Sequence, residues 1–337
     1  MAKLIVTGGL GFIGSNLIEF LLNKGHSVVN IDKVGYSSNF YNTSSFSKNK
    51  KYKFVKADIA NKKKIKQIIK KHKPKCIFNL AAETHVDRSI DKTDNFLKSN
   101  IIGVHSLLEV LIENKQIKLI HISTDEVYGS ITGNLRTNEK QPYKPKNPYA
   151  ATKASSDHLI RSYINTHNIK AIITNCSNNY GPKQNPEKFI PKIIYNIWKK
   201  KNLPIYGKGK NSREWLFVLD HCKALYKIYH KGKIGETYNI GSNKNLTNKE
   251  LVKKIILICK RKKIFTNKSK LVFVKDRPGH DMRYALDSRK IKTKLKWTSK
   301  IDINEGLSKT IDWYQNHKKF YKLTRNKKFF KRLGNKR

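Results

Sequence analysis

The feature that most constrains the fold is a cluster of four glycines near the start of the chain. The letters GGLGFIG at 8–14 follow an apolar run at 3–7 and precede a segment, 15–24, whose apolar residues are spaced as in a helix. Glycines between a strand and a helix allow a tight turn, close approach of the backbone to a pyrophosphate, and a helix N-terminus that faces the anion. With a second apolar run at 27–31, the pattern predicts a dinucleotide-binding βαβ unit.

Strands and helices are predicted to alternate along the first half of the chain. Further strands are predicted at 53–56, 76–80, 119–123 and 171–175, and further helices at 61–73, 100–114 and 149–166. This alternation indicates the α/β class and a doubly wound parallel sheet, the NAD-binding Rossmann arrangement.

The pattern also suggests how the chain is divided. We place the Rossmann domain at 1–180 and expect it to receive more chain from about 215–240. Beyond 180 the pattern is irregular and interrupted by prolines, so 181–318 is predicted to form mainly a smaller, C-terminal substrate-binding domain. The lysine-rich, aperiodic segment 319–337 is predicted to be a mobile basic tail.

The chain is strongly basic. Of 337 residues, 71 are Lys or Arg and 24 are Asp or Glu, which gives a formal net charge of +47. Such a charge favours binding to nucleic acid or to an anionic membrane. However, only 11 of the basic residues are arginine, which forks to bases and phosphates, and the lysines are spread along the whole chain. We therefore interpret the charge mainly as a compositional bias, with a polyanion-binding surface as the alternative.

Several classes of protein are excluded by composition. Hydrophobic residues make up 38% of the chain, which argues against disorder. No apolar run approaches the roughly 18 residues of a membrane-spanning helix, and the first apolar run is too short for a signal peptide. The cysteines are scattered without a CxxC pair, which fits reduced thiols in a cytoplasmic protein and predicts no metal site. They are Cys76, Cys176, Cys222 and Cys259.

An acid at the end of the second predicted strand indicates which dinucleotide is bound. The Asp32 carboxylate can accept hydrogen bonds from both ribose hydroxyls and repels a 2′-phosphate, so NAD is favoured over NADP. The neighbouring Lys33 weakens this preference slightly. Asp58 follows the third predicted strand, where it either meets the adenine amine or is a solvated loop acid.

A tyrosine and a lysine are spaced four apart in a predicted helix. Tyr149 and Lys153 therefore share one helical face, unless they are simply a surface pair. An ammonium beside a phenol, with a cationic nicotinamide nearby, lowers the phenol pKa from about 10 toward neutrality. The phenolate can then take a hydroxyl proton while hydride leaves the same carbon.

Two adjacent acids follow a predicted buried strand in a chain that has few acids. The segment Ser123-Thr124-Asp125-Glu126 would end at the sheet edge where α/β active sites lie. Neighbouring side chains diverge, so one carboxyl group can act as an acid on one atom while the other acts as a base elsewhere. The alternative is a pair of solvated loop carboxylates.

Taken together, these segments resemble the extended short-chain dehydrogenase/reductase superfamily and, within it, the dTDP-glucose 4,6-dehydratase family. The resemblance runs from about residue 2 to 318. Beyond the segments described, it is carried by LAAETHVDRSI at 80–90, STDEVYG at 123–129, TNCSNNYGP at 174–182, PIYGKG at 204–209, YNIG at 238–241 and DRPGHD at 276–281. The acidic pair is its most specific part, since epimerases lack the pair and related dehydratases and decarboxylases usually carry only the Glu.

The resemblance implies redox-neutral, NAD-dependent dehydration of dTDP-glucose to dTDP-4-keto-6-deoxyglucose, a lyase reaction of deoxysugar synthesis such as that of rhamnose. In this family Tyr149 would take the C4 hydroxyl proton, Lys153 would lower the tyrosine pKa, and Thr124 would hydrogen-bond the C4 oxygen. Glu126 would remove the C5 proton and Asp125 would protonate the departing C6 hydroxyl.

The resemblance also implies which residues bind the two ligands. The cofactor would be bound by Gly8, Gly11, Phe12, Ile13, Gly14, Asp32, Lys33, Val34, Gly35, Asp58, Ile59, Leu80, Ala81, Ala82, Glu83, Thr84, Ser99, Tyr149, Lys153 and Asn179. The nucleotide sugar would be bound by Thr84, Thr124, Asp125, Glu126, Asn178, Lys188, Phe189, Pro204, Tyr206, Arg213, Asn248, Asp276, Arg277, Pro278, Gly279 and His280.

Four departures from the family pattern affect affinity more than catalysis. Gly35 and Ser99 stand where the family usually has Thr, Glu214 replaces an Asp, and 150–152 reads Ala-Ala-Thr instead of Ser-Ala-Ser. None of these changes removes a catalytic atom.

Two other functions remain open. One is a sibling enzyme that uses a UDP- or CDP-sugar, and the other is an RNA-binding protein that has kept the fold without the catalysis. The superfamily also implies a homodimer in which the helix near 100–114 and the helix carrying Tyr149 pair with their copies. We expect the apolar surface for this contact to come from Leu107, Leu108, Val110 and Leu111, unless these are ordinary core residues.

Overall fold

The computed structural model describes residues 1–265, 268–276 and 279–323. Its strands are β1 (Lys3–Thr7), β2 (Ser27–Asp32), β3 (Tyr52–Lys56), β4 (Cys76–Asn79), β5 (Lys118–Thr124), β6 (Ala171–Cys176), β7 (Asn178–Tyr180), β8 (Leu203–Tyr206), β9 (Ser212–Phe217), β10 (Thr237–Ile240), β11 (Asn245–Thr247) and β12 (Leu271–Val274).

The first of the helices begins directly after the glycine-rich turn. They are α1 (Phe12–Asn23), α2 (Lys62–His72), α3 (Val86–Asp91), α4 (Asp94–Phe96), α5 (Gly103–Ile112), α6 (Pro148–His167), α7 (Phe189–Trp198), α8 (Val218–Lys231), α9 (Asn248–Arg261), α10 (Arg289–Leu295), α11 (Ile303–Asn316) and α12 (Lys318–Leu323). A π-helix, Leu97–Ile102, leads into α5, and 3-10 helices span Phe40–Thr43 and Asp125–Tyr128.

The first domain is built on a seven-stranded sheet with the order β10-β6-β5-β4-β1-β2-β3. Every neighbouring pair in it is parallel. The carboxyl ends of the strands therefore meet at one edge, where Thr7 is in register with both Ile31 and Asn79. The predicted parallel sheet and each of its predicted strands are confirmed.

Helices cover both faces of this sheet because alternate strand residues point in opposite directions. Leu4 and Val6 pack with α1, α8 and α10 on one face. Ile5, between them, packs with α2, α5 and α6 on the other. The doubly wound arrangement predicted from the alternation is thereby confirmed.

The second domain contains two small sheets and the helices that pack on them. Strands β11, β9 and β7 form one sheet, and β12 pairs in parallel with β8 in the other. Helices α7, α9, α11 and α12 surround a separate apolar core. Because β7 pairs with β9, this domain already begins at Asn178 rather than at 181.

The chain returns to the first domain twice. The expected return is made by α8 and β10, although β9, up to Phe217, belongs to the second domain. A second return was not predicted from the sequence: Ile291 and Leu295 of α10 pack into the core beneath the seven-stranded sheet.

The predicted mobile tail starts too early. Residues 318–323 form α12, in which Phe320 is 1% and Tyr321 4% exposed. The Tyr321 hydroxyl donates to the Pro191 carbonyl at 3.0 Å, so this helix belongs to the second core. The rest of the predicted tail, 324–337, lies outside the described residues.

Two truncations are expected to differ because of α12. Ending the chain after His317 removes two buried rings, each of which typically stabilises a core by about 3–5 kcal/mol, so a large fall in Tm is expected. Ending it after Leu323 keeps both rings, and we expect a Tm and a turnover near those of the full chain. Thermal unfolding followed by circular dichroism checks this, and equal Tm values for the two truncations would contradict it.

The apolar residues proposed for the dimer interface are core residues. Leu107, Leu108, Val110 and Leu111 are each at most 1% exposed and pack between α5 and the sheet. These four side chains are buried inside one chain because they face the sheet core. Any contact between two copies must therefore use other side chains.

The described helices include none with the length and apolar character needed to cross a bilayer. All four cysteines are free thiols and buried. Burial raises the pKa of each, to about 12 for Cys176 and Cys259.

Candidate active site

A deep pocket lies at the carboxyl edge of the seven-stranded sheet. It is bounded by the glycine-rich turn, by the ends of β2, β4, β5 and β6, by the start of α6, and by the loop 183–188. Both the predicted cofactor segments and the acidic pair open into it, as expected for an active site at this edge.

The glycine-rich turn forms the floor of the pocket and has room for backbone only. Gly8 has φ +70°, and a Cβ on it would lie 2.9 Å from the Ala81 backbone. A Cβ on Gly14 would lie 2.4 Å from the Gly8 carbonyl oxygen. The start of α1 carries no acidic residue and no side-chain cap, so its first N–H groups are available to an anion.

The Asp32 carboxylate is held in place by the loops around it. One oxygen accepts from the Leu10 N–H at 3.0 Å, and the other accepts from the Val34 N–H at 2.8 Å and the Ser38 hydroxyl at 2.7 Å. A ribose hydroxyl bound here must share these acceptors. Each carboxylate oxygen has two lone pairs, so Oδ2, which accepts one hydrogen bond, can accept one more, whereas Oδ1 already accepts two.

Lys33 does not present a free positive charge to the pocket. Its ammonium lies 2.9 Å from the Glu83 carboxylate and donates to the Ser99 hydroxyl at 2.7 Å. Lys33 should therefore weaken the preference for NAD less than the sequence suggests, because Glu83, an acid predicted for the same site, neutralises its charge.

All but one of the residues predicted to bind the cofactor line this pocket. The exception is Val34, which has φ +59°, is 36% exposed, and contributes only its backbone N–H to Asp32. A Cβ at Gly35 would meet only the flexible Lys33 side chain, at 3.0 Å. The threonine that the family usually has at this position would therefore not clash with the backbone.

Tyr149 is fixed at the start of α6. The Asn147 side chain caps the helix by accepting from the Ala150 N–H at 2.9 Å, and Pro148 occupies the first turn. The Tyr149 side chain is buried in the pocket wall, and burial and the nearby Glu126 raise its pKa well above the ordinary value. A hydrogen bond with the Thr124 side chain acts in the opposite direction.

Tyr149 and Lys153 both line the pocket, and among the described residues no hydrogen bond joins them. The Lys153 ammonium lies 3.0 Å from His121 Nε2 and donates to the Ile122 carbonyl at 2.9 Å. Burial lowers the Lys153 pKa to about 8. These two acceptors on β5 hold the Lys153 nitrogen at the pocket wall.

The acidic pair occupies a 3-10 helix directly after β5, and its two members differ. Asp125 is 3% exposed, and burial, followed by Glu126 and Glu214, raises its pKa well above the ordinary value, while Arg213 opposes the shift. Glu126 is less buried and accepts from the Asn147 amide at 3.2 Å. A protonated Asp125 beside an accessible Glu126 suits the expected division into acid and base.

The residues predicted to bind the nucleotide sugar form two groups. One group lines the pocket: Thr84, Thr124, Asp125, Glu126, Asn178 and Lys188. The other does not: Phe189, Pro204, Tyr206, Arg213, Asn248, Asp276, Gly279 and His280. Arg277 and Pro278 lie outside the described residues.

The second group lies mainly around the end of β8. The Tyr206 hydroxyl donates to the Asp87 carboxylate at 3.2 Å, and its ring lies edge-on to His280, with centroids 6.0 Å apart. His280 Nδ1 lies 2.6 Å from Asp276. Arg213 stacks over Tyr284, 4.4 Å from the ring centroid. These side chains link the two domains instead of opening into the pocket.

Sequence reasoning missed several residues of this site. Tyr284 brings its hydroxyl to 3.5 Å from Glu126, and Glu187, Gln184 and Phe320 line the pocket. Burial raises the Glu187 pKa to about 7. Phe320 was missed because it lies in an aperiodic lysine-rich segment, and Tyr284 because no motif surrounds it.

The backbone hydrogen-bond donors and the apolar side chains of the pocket together fit a dinucleotide. The Cβ-free turn leaves backbone N–H groups facing a cavity, and the apolar side chains of Phe12, Ile13, Ile59 and Leu80 line the same cavity. Within the ranges 1–265, 268–276 and 279–323, no group of three or more His, Cys, Asp or Glu side chains is placed to hold a metal ion.

The comparisons with known proteins agree on one family. Residues 5–310 match the family model described as GDP-mannose 4,6 dehydratase. A curated dTDP-glucose 4,6-dehydratase of Neisseria meningitidis serogroup B is 41% identical, and the alignment covers 99% of both chains.

Solved structures agree with the sequence matches. The dTDP-glucose 4,6-dehydratase of Bacillus anthracis in complex with NAD gives a TM-score of 0.89 at 39% identity, covering 96% of this chain and 100% of the other. The dTDP-glucose 4,6-dehydratase of Streptomyces venezuelae, with NAD bound, gives 0.91 at 35% identity with the same coverage.

Proposed function

The chain belongs to the dTDP-glucose 4,6-dehydratase family, and we propose that it converts dTDP-glucose to dTDP-4-keto-6-deoxyglucose with NAD as its cofactor. The observation that carries this proposal is the pairing of a buried Asp125, whose pKa burial raises, with Glu126 beside the Tyr149 phenol. A dehydration needs both an acid and a base, whereas simple oxidation or epimerisation at C4 needs only the tyrosine.

NAD would be held by the glycine-rich turn, by Asp32 and by the apolar residues that line the pocket. When bound, it supplies a hydride acceptor for C4 of the sugar and returns the hydride to C6. The pyrophosphate would lie at the N-terminus of α1, where the Gly14 position has no space for a side chain.

Tyr149 is proposed as the base for the C4 hydroxyl, with the Lys153 ammonium and the positive charge of bound NAD lowering the phenol pKa that burial raises. The Thr124 hydroxyl, which lines the same pocket as Tyr149, would hydrogen-bond the C4 oxygen. The ketone formed at C4 acidifies the hydrogen on C5, which prepares the substrate for elimination.

Glu126 is proposed to remove the C5 proton, and Asp125 to protonate the leaving C6 hydroxyl so that it departs as water. Burial raises the Asp125 pKa, which favours the protonated form that a general acid requires. The Asn147 amide donates a hydrogen bond to the Glu126 carboxylate at 3.2 Å, which orients that side chain.

Incubation with dTDP-glucose without added NAD tests this function. We expect product detectable by the base-induced absorbance of a 4-keto-6-deoxy sugar and by loss of one water in the mass spectrum. UDP-glucose and CDP-glucose serve as parallel substrates, and turnover of one of these alone would assign a sibling activity. Salt-sensitive RNA binding without turnover of any of the three would indicate a non-catalytic nucleic-acid-binding protein.

We also propose a homodimer, formed by the π-helix and α6 of each copy. Leu97 is 45% and Ile102 52% exposed, although both are large apolar residues on one short segment that packs on α6. A second copy seated on this segment would cover both side chains, which is how a dimer interface of about 1,200 Å² or more is built.

Introducing charge at the exposed apolar pair is expected to disrupt this dimer. Leu97→Glu combined with Ile102→Glu places four carboxylates in the interface of a dimer, so we expect a monomer in light scattering at micromolar concentration. Leu135→Glu is the matched control, since Leu135 is also exposed but lies on a distant loop. A wild-type protein that is already monomeric contradicts the proposal.

A cytoplasmic location is part of the same proposal. All four cysteines are unpaired, and burial raises the pKa of each thiol, so none is activated for disulfide exchange. Free thiols of this kind fit a reducing compartment.

A further inference from the structure

A buried histidine lies directly behind Lys153. His121 is 0% exposed in the middle of β5, and its Nε2 lies 3.0 Å from the Lys153 nitrogen. Its other ring nitrogen, Nδ1, lies 3.0 Å from the Asn79 amide on the neighbouring strand. The imidazole therefore joins the sheet interior to the lysine that lines the pocket.

Beyond Asn79, the chain of polar contacts continues into β1. The Thr7 hydroxyl lies 2.6 Å from the Asn79 side-chain oxygen and accepts from the Ala81 N–H at 3.1 Å. Thr7, Asn79 and His121 are each at most 1% exposed, so none of them has water as an alternative partner. Buried groups of this kind need a partner for every donor they carry.

The proton on His121 is tied to the charge of Lys153. A charged ammonium only donates, so Nε2 must then be the acceptor and Nδ1 must carry the hydrogen toward an Asn79 oxygen. A neutral amine can instead accept from a hydrogen on Nε2, with Nδ1 accepting from the Asn79 amide. In the structure the Thr7 hydroxyl donates to the Asn79 oxygen and the Asn79 amide faces Nδ1, which matches the second state. In the first state the Asn79 amide turns over, its nitrogen donates to the Thr7 oxygen, and the Thr7 hydrogen must find another acceptor.

We propose that His121 is a positioning residue for Lys153: its neutral imidazole holds the lysine nitrogen in the pocket and changes tautomer with the charge of the lysine. The proposal rests on the proposed function, in which Lys153 serves the hydride-transfer step. His121 itself does not touch the substrate and stays neutral, because burial and the Lys153 charge lower its pKa well below the ordinary value.

Other charged groups around the pair act on the same equilibrium. Asp157 of α6 lies 3.6 Å from His121 Nε2 and favours the charged lysine. The Asp157 carboxyl group accepts from the Ser123 hydroxyl at 2.7 Å and the Tyr143 hydroxyl at 3.0 Å. These contacts remain when His121 is changed, so they do not substitute for its bond to Lys153.

Two substitutions separate positioning from packing. His121→Gln places an amide near the Nε2 position and keeps an acceptor for Lys153, whereas His121→Asn reaches only the Nδ1 position and loses it. Both are polar and similar in size, so a purely structural role would affect them alike. His26→Gln is the control for loss of a buried histidine, since His26 is 6% exposed and lies far from the pocket, against Tyr226.

The first readout is the titration of Lys153 itself, followed by the carbon resonance next to its nitrogen and assigned by its absence in Lys153→Met. The wild-type midpoint is expected near pH 8. His121→Asn loses a hydrogen bond in both charge states of Lys153, but the bond to the charged form is the stronger, so the midpoint should fall by about one pH unit, and by much less in His121→Gln. The control variant His26→Gln is expected to leave the midpoint unchanged.

The second readout is single-turnover oxidation of dTDP-glucose. A misplaced lysine is expected to slow this step by about 10²-fold in His121→Asn, with little change in KM, while His121→Gln recovers most of the rate. Equal midpoints and rates in the two variants would overturn the proposal. If the wild-type protein does not turn over dTDP-glucose, the proposed function fails, whereas the Lys153 titration still decides the role of His121.

Discussion

Tyr149→Phe is expected to abolish oxidation and water loss together, with product formation falling by at least about 10²–10⁴-fold. The substitution removes one oxygen and leaves no other base placed for the C4 hydroxyl, because Lys153 is turned toward His121 and Ile122. Elimination fails as well, since the C5 hydrogen becomes acidic only after C4 is a ketone. Rapid-quench product analysis and absorbance at 340 nm measure the two steps.

Tyr143→Phe is the matched control for this experiment. Tyr143 is a second, mostly buried tyrosine that bonds Asp157 and Arg161 at a distance from the pocket. Its substitution is expected to lower stability more than it changes the oxidation rate. Appreciable absorbance at 340 nm in Tyr149→Phe would show that another group takes the proton.

Asp125→Asn and Glu126→Gln are expected to stop the reaction after oxidation. Each substitution keeps the shape of the side chain and removes its proton transfer, which typically costs about 10²–10⁴-fold. Since Tyr149 and Thr124 are unchanged, C4 oxidation continues, and absorbance at 340 nm should accumulate while the 4-keto-6-deoxy product forms slowly. Stopped-flow absorbance with parallel mass analysis distinguishes this from a general loss of activity.

The two acid variants should also differ from one another. Asp125 is protonated in the active enzyme, so an Asn amide can still donate a hydrogen bond to the C6 oxygen, whereas a Gln at 126 cannot accept the C5 proton at all. Loss of C5–H exchange with solvent is therefore expected in Glu126→Gln and its retention in Asp125→Asn. Water elimination at the wild-type rate in both variants would show that the acidic pair is wrongly assigned.

The parts of the molecule governed by local pattern could be predicted from the sequence. The glycine-rich turn, β2 and α6 follow from residues that are adjacent along the chain, because strand alternation, helix spacing and caps act over a few residues. The acidic pair was placed correctly at the pocket for the same reason: it directly follows a buried strand that had to end at the carboxyl edge of the sheet.

What could not be predicted depends on contacts between distant residues. Leu107 and Leu108 have the same apolar spacing whether they face a sheet or a second copy, and only the packed structure shows the sheet. Lys153 shares a helical face with Tyr149, yet its long side chain follows the acceptors on β5 instead. Phe320 lies among lysines with no periodicity, and it is buried because Tyr314 and Tyr321 cover it on the second domain.

Because β10 lies far along the chain from its partner β6, the sheet can be completed only late in synthesis. The first sheet is completed at one edge by β10, which pairs with β6 only after the chain has formed β7, β8, β9 and α8. At synthesis rates of about 5–20 residues per second, the roughly 60 residues between Cys176 and Thr237 occupy about 3–12 s. During that interval β6 presents an unpaired parallel edge, which is a site for mispairing with another chain. A nascent chain stalled near residue 180 would thus be the species most in need of a chaperone.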